Sequence, residues 1–380
     1  MRILTVDIGT GTQDILLFDS SVQPENCYKL VLPSPTQIYA RQIRQATTQR
    51  RVVVLSGVLM GGGPVSWTLG DHLQADLPVY ATPDAARTLD DDLARVQVMG
   101  VHLIADPREV SDDAALCLEL RDLHLAAIAT ALAAFGLDPQ WDGLAVAVLD
   151  HGAAPPGISD RLFRFEHIRK VVNLANGPEP SPGLEHWPVG LLAFAYRREE
   201  LPDYLTRLRS VAACAPGVPL VLMDTGAAAA LGTLEDPAVR RHNDLLLVNC
   251  GNMHTLAVHL IDSRLVGLLE HHTGFLTTET LDDLLERLVA GTLTNEEVFN
   301  AGGHGAYLAA GTTSLAGITR PYLAVTGPRR GLLRGSRLSP YFAVPHGDMM
   351  LAGCYGLVRA CAAKLPAWRE EIEQALAVSL

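Results

Sequence analysis

Asp7-Ile8-Gly9-Thr10-Gly11-Thr12-Gln13-Asp14 is the stretch on which the fold turns. Residues 2–8 (Arg-Ile-Leu-Thr-Val-Asp-Ile) before it and 14–18 (Asp-Ile-Leu-Leu-Phe) after it are β-rich runs, so the glycine–threonine segment predicts the tip of a hairpin. Such a tip offers backbone N–H groups and hydroxyls to an anion. A carboxylate at the strand end can hold a hydrated divalent cation. An ordinary tight hairpin would use the same residue types.

Working outward, the pattern recurs once. A strand at 245–248, the turn Asn249-Cys250-Gly251-Asn252 and a strand at 255–261 repeat the first hairpin in pattern rather than identity. Met253-His254-Thr255 stand where the first tip has its hydroxyls. Two such loops facing across a cleft can clamp a polyphosphate. Further strands are expected at 51–60, 144–149, 218–223, 265–269 and 323–326, and helices at 64–74, 227–231, 278–290, 295–301 and 348–363. Thr294 and Glu297 form a capping box. The strongest helix expected covers 111–136, capped by Ser111 and closed by Gly136; residues 33–37 read as a proline-rich loop. Strands alternating with helices argue α/β architecture, with a boundary near 232–243.

Composition narrows the function. The 380 residues suffice for two or three domains. A net charge of −12 disfavours nonspecific binding to nucleic acid or an anionic membrane. No apolar stretch reaches the ~20 residues of a membrane span, and the amino terminus does not read as a signal peptide. Six scattered cysteines without CxxC read as reduced thiols of a cytoplasmic protein. Lysine is scarce (Lys29, Lys170, Lys364), and GxxxxGK[ST] is absent, which excludes a P-loop enzyme.

Several other positions can carry chemistry. Asp224 ends a strand before an Ala-rich helix and can act as a general base or as that helix's N-cap. Asp150-His151-Gly152 has the same placement, and His151 can move a proton or merely fix a loop. Glu270-His271-His272 can contact substrate or a metal, but HxxxH and HExxH spacings are missing. Thr326-Gly327-Pro328-Arg329 can admit a flat base to the backbone, with Arg stacking on it, or be a surface turn. Gly61-Gly62-Gly63 reads as a flexible loop.

In this order the motifs resemble the sugar kinase, Hsp70 and actin superfamily of ATP-binding proteins. The resemblance implies two RNase-H-like domains, of actin-like ATPase type, with a nucleotide cleft between them. It implies domains at 1–235 and 236–347, with a helix over 348–380 crossing back. Asp7, Gly9, Thr10, Gly11 and Thr12 look like the first phosphate hairpin, Asp7 also holding Mg2+. Gly251, Asn252, His254 and Thr255 look like the second, and Gly327 with Arg329 like the adenosine loop. Asp224 resembles the catalytic Asp of carbohydrate kinases. Asp14, where those kinases carry Lys or Arg, is instead similar to the hydantoinase and oxoprolinase branch. Asn249 replaces the Asp usual in Hsp70-like ATPases.

As a whole the chain resembles a family labelled as a pyruvate formate-lyase activating enzyme. The CxxxCxxC of radical activation is absent, which contradicts that label. The implied activity is an Mg-ATP-dependent phosphotransferase acting on a small molecule. An ATPase switch acting on a protein partner, or ATP-driven amide hydrolysis, are the alternatives.

Overall fold

The computed structural model describes residues 1–175, 187–309 and 320–377. The chain begins as a meander of β1 (Arg2–Ile8), β2 (Thr12–Asp19) and β3 (Tyr28–Pro33), all antiparallel. A helix, Pro35–Thr48, follows where a loop was expected. Pro35 stands at its first turn, where a missing N–H costs nothing. Next come β4 (Val53–Gly57), β5 (Val79–Ala81), β6 (Val101–Leu103) and β7 (Leu116–Leu120), forming a separate parallel sheet in the order β6-β5-β4-β7 with its own apolar core.

The expected 111–136 helix is therefore wrong over its first half. Leu116, Leu118 and Leu120 alternate with Cys117 and Glu119 and pair with β4; only Leu125–Ala134 is helical. Asp112 serves a turn, accepting from the Ala114 amide at 2.9 Å, instead of a helix start. Gly136 does end the helix, at φ 75°.

The chain then returns to the first sheet through β8 (Gly143–Val148), β9 (Ala195–Arg197) and β10 (Leu220–Asp224). The sheet order is β3-β2-β1-β8-β10-β9, with β8 parallel to both β1 and β10. Every residue of β8 is buried, as a central parallel strand requires. The second half repeats the plan. An antiparallel meander of β11 (Asp244–Cys250), β12 (His254–Ile261) and β13 (Arg264–His272) carries the edge strand β14 (Gly305–Leu308) on one side. On the other side, β15 (Tyr322–Thr326) and β16 (Tyr341–Phe342) run parallel to β11. An antiparallel meander continued by parallel strands, twice over, is the RNase-H-like plan.

Two helices join the halves. The Thr225–Thr233 helix leaves β10, and the Ala352–Lys364 helix, preceded by a 3-10 turn at Met349–Leu351, packs across β1, β8, β10 and the first helix. One apolar cluster runs from Ile3 and Val221 through Tyr355 and Leu357 to Leu247 and Val258.

Candidate functional site

The two hairpins are built alike. Gly9 donates its N–H to the Thr12 carbonyl at 2.9 Å, and Gly251 donates to the His254 carbonyl at 2.9 Å. Their tips meet: a Cβ on Gly11 would overlap the Asn252 side chain. The Ser34 hydroxyl braces the first tip, donating to the Thr10 carbonyl at 2.8 Å. Thr255 is buried, and its hydroxyl is shared with Thr273 at 2.9 Å rather than presented to the gap; Thr273 in turn donates to the Gly251 carbonyl. Gly327 sits at φ 96°, where a Cβ would strike the Cys250 backbone. The Arg329 amide donates to the Cys250 carbonyl at 2.9 Å, and its side chain is exposed.

Asp7 and Asp14 are register partners across the first hairpin. Asp7 Oδ1 accepts from the Thr225 hydroxyl at 2.6 Å, and its other oxygen lies against Gly353. Burial pushes the Asp7 carboxyl up to about 7, with Asp224 adding to the rise. Burial and Asp7 together push Asp14 up to about 8. Asp14 Oδ1 is buried with no hydrogen-bond partner.

The other candidates surround one buried guanidinium. Arg164 Nε lies 3.0 Å from Glu270, and its Nη1 donates to Asp224 Oδ2 at 2.8 Å and to the Asp150 carbonyl at 2.9 Å. Asp224 Oδ1 caps the next helix, accepting from the Gly226 amide at 3.0 Å. Both Asp224 oxygens are thus engaged. Both Asp150 oxygens are as well, accepting from the Gly152 and Leu208 amides at 2.8 and 2.9 Å. His151 is held well below the ordinary histidine value by burial and Arg164. Burial alone would raise Glu270, but Arg164 and His304 hold it well below the carboxylate range. Of the Glu270-His271-His272 run, Glu270 is a buried partner of Arg164 and His304, and His272 reaches the cavity.

A cavity of about 310 Å³ opens beside the first tip, lined by Gly9 and Thr10, by Asp150 and His151, and by His254 and His272. The inserted parallel sheet supplies its other wall, Gly61–Gly63 and Arg87–Asp91. The glycine turn is pinned rather than loose. Gly61 donates to Asp122, Arg207 grips that carboxylate at 2.8 and 2.9 Å, and a Cβ on Gly61 would strike the guanidinium. Asp91 faces this cavity; partial burial and the carboxylates of Asp160, Asp150 and Asp90 push it up to about 6. Sequence reasoning passed over Arg164, Arg207, Asp91 and His304. None carries a motif, and each gains its setting from segments distant in the chain.

Two RNase-H-like units, each opened by a glycine-tipped hairpin and bridged by two helices, define the fold. The chain belongs to the family described as "Putative pyruvate format-lyase activating enzyme (DUF1786)", whose profile matches residues 60–332. Among solved structures the chain is similar to the ethanolamine utilization protein EutJ from Carboxydothermus hydrogenoformans, at 13% identity over 94% of this chain and 89% of that one, with a TM-score of 0.32. It is also similar to a ROK-family transcriptional regulator, a homolog of the E. coli MLC protein, at 10% identity over 70% of this chain, with a TM-score of 0.26. The chain spans only 38% of that regulator's length. A third similar structure is an exopolyphosphatase-like protein, at 11% identity over 79% of this chain and 62% of that one, with a TM-score of 0.24. No curated protein matches the sequence. Among the described residues, no helix is long and apolar enough to cross a membrane.

Proposed function

We propose that the protein is an Mg-ATP-dependent phosphotransferase whose acceptor is a polar small molecule. The observation that carries this reading is the meeting of two glycine-turn hairpins beside a polar cavity of about 310 Å³. The residues fit a divalent cation. Asp14 Oδ1 is a buried carboxylate oxygen without a partner, and Asp7 and Asp14 are both raised by burial that nothing positive offsets. Asp7 and Asp14 would hold the ion, which supplies neutralisation of phosphate charge. The amides of Thr10–Thr12 and Asn252–His254 would receive the phosphates, since those of Gly9 and Gly251 close the hairpins. Arg164, committed to Asp224 and Glu270, stays out of that task.

The cavity is lined by Asp90, Asp91, Asp150 and Asp160, while its two arginines are taken up by other carboxylates, Arg87 by Asp84 and Arg207 by Asp122, so it suits a neutral or cationic acceptor, a polyol or an amine, better than an anionic one. Asp150 and His151 border it. Asp91, which faces the cavity and is raised to about 6, takes the acceptor proton. Asp224 acts through Arg164, as a positioning residue.

Thermal unfolding with and without Mg-ATP tests the nucleotide. At 100 times its dissociation constant the ligand stabilises by about 2.7 kcal/mol, a shift of roughly 2 °C or more, absent in Asp7→Ala. Asp91→Asn keeps that shift and lowers kcat by about 10²–10⁴-fold. No shift in the wild type ends the reading. A second reading, an ATPase switch, is favoured by the touching tips of Gly11 and Asn252, which phosphates must part. Phosphate release stimulated by a protein, with no phosphorylated acceptor, would select it.

A further inference from the structure

Three histidine rings, His151, His254 and His272, line the cavity with His304 buried against them, and the nucleotide reading leaves all four rings without a task. His151 follows β8, His254 opens β12, His272 closes β13 and His304 precedes β14. Three of them converge. One side-chain nitrogen each from His151, His254 and His304 lies within 4.8 Å of the other two. The ring centroids are 4.8 Å apart for His254 and His304, 5.8 Å for His151 and His254, and 5.2 Å for His151 and His304.

Two observations go beyond proximity. His304 is fully buried, and its Nε2, like that of His254, has no hydrogen-bond partner. Buried imidazole nitrogens without a partner are rare, because nothing repays their lost water. Second, His304 Nδ1 sits 2.9 Å from Glu270 Oε1. Glu270 is itself paired with Arg164 at 2.8 Å, so it accepts, and His304 presents its Nε2 lone pair to the cluster. A carboxylate behind an inward-facing histidine is the arrangement that orients metal ligands.

We propose that His151, His254 and His304 form a binding site for a transition-metal dication, of zinc, iron(II) or cobalt(II) type. Three imidazoles favour such ions over magnesium, which demands oxygen donors. Three protein ligands leave a fourth position of a tetrahedral ion open. His151 and His254 both line the cavity, so that position faces it and takes water or an oxygen of a bound molecule. The site is separate from Asp7 and Asp14 and does not rest on the nucleotide reading. Glu270 is its positioning residue.

The test is a titration of the chelator-stripped, full-length protein with Co(II), without nucleotide. It is followed by visible ligand-field absorption, with near-ultraviolet circular dichroism as the check on folding. The expected result is a tetrahedral Co(II) spectrum saturating at one equivalent, displaced by Zn(II) and not by excess Mg2+. His304→Ala and His254→Ala lose it, and Glu270→Gln weakens binding by about 10–100-fold while keeping the spectrum's form. A folded wild type with no such spectrum overturns the proposal. So does an undiminished spectrum in His254→Ala, a truncation beside a hairpin tip that decides the matter if His304→Ala fails to fold.

Discussion

Gly353 shows how a single hydrogen atom in place of a methyl group can set a site. A Cβ there would overlap the Asp7 carboxylate, which sits at the end of β1 with its other oxygen on Thr225. The obstacle is a side chain and not main chain, so the fold can yield by turning Asp7 aside. Gly353→Ala is therefore expected to leave the unliganded midpoint within about 1 kcal/mol of wild type while moving the carboxylate proposed to hold the cation. Isothermal titration would then read an Mg-ATP affinity weaker by about tenfold, or ~1.4 kcal/mol. An unchanged affinity would take Asp7 out of the cation site. The same scale explains Asn252. At the tip of the second hairpin it covers Gly11, and only glycine leaves room for that approach.

At the scale of elements, the Thr225–Thr233 and Ala352–Lys364 helices cross with their backbones in contact. A Cβ on Gly356 would overlap the Ala228 carbonyl oxygen, and one on Gly232 would overlap the carbonyl of Ala352. Glycine to alanine inside a helix ordinarily stabilises by up to ~1 kcal/mol. Here the obstruction is main chain and cannot turn aside. Gly356→Ala is expected to destabilise by about 1–3 kcal/mol or more, read from the urea midpoint. A midpoint at or above that of wild type would show that the crossing relaxes freely.

Elements also mark what the sequence could disclose. Both hairpins were legible because their glycine and threonine tips are local punctuation between apolar strands. The inserted parallel sheet was not. β5 and β6 are three residues each, too short to show a period, and β7 lies close before an Ala-rich helix, so the two merged into one helical reading. The Arg164 network was illegible for another reason. Its members come from four segments, and spacing rules such as HxxxH see only ligands on one helix. Asp224 was readable as a base or a cap, and the structure engages it as the cap and as Arg164's partner.

The two halves of the molecule also meet at a charge, whose neutralisation is expected to weaken the fold in acid. Glu235 is buried at the exit of the Thr225–Thr233 helix. Arg359 of the returning helix reaches it at 3.0 Å, Arg240 at the entry to the second half at 2.8 Å, and His346 Nε2 lies 3.7 Å away. Arg359 also stacks 4.1 Å over Trp187. Burial works against the charge, but His346, Arg359 and Arg240 outweigh it and hold the carboxyl at about 2, below its ordinary 4.5. The folded state therefore binds this proton less readily than the unfolded chain. The stabilisation is complete above pH 4.5 and is lost as pH falls toward 2, with a slope of up to ~1.4 kcal/mol per pH unit from this group. In Glu235→Gln that slope should flatten across the same window. The variant should also be weaker at pH 7 by about 3–5 kcal/mol, because Arg359 is left buried beside a neutral amide. Urea unfolding of both proteins at pH 7, 4.5 and 3 separates the two effects. Parallel pH profiles would mean that the acid sensitivity arises elsewhere. A converging pair would place at Glu235 the charge on which the two halves stay docked.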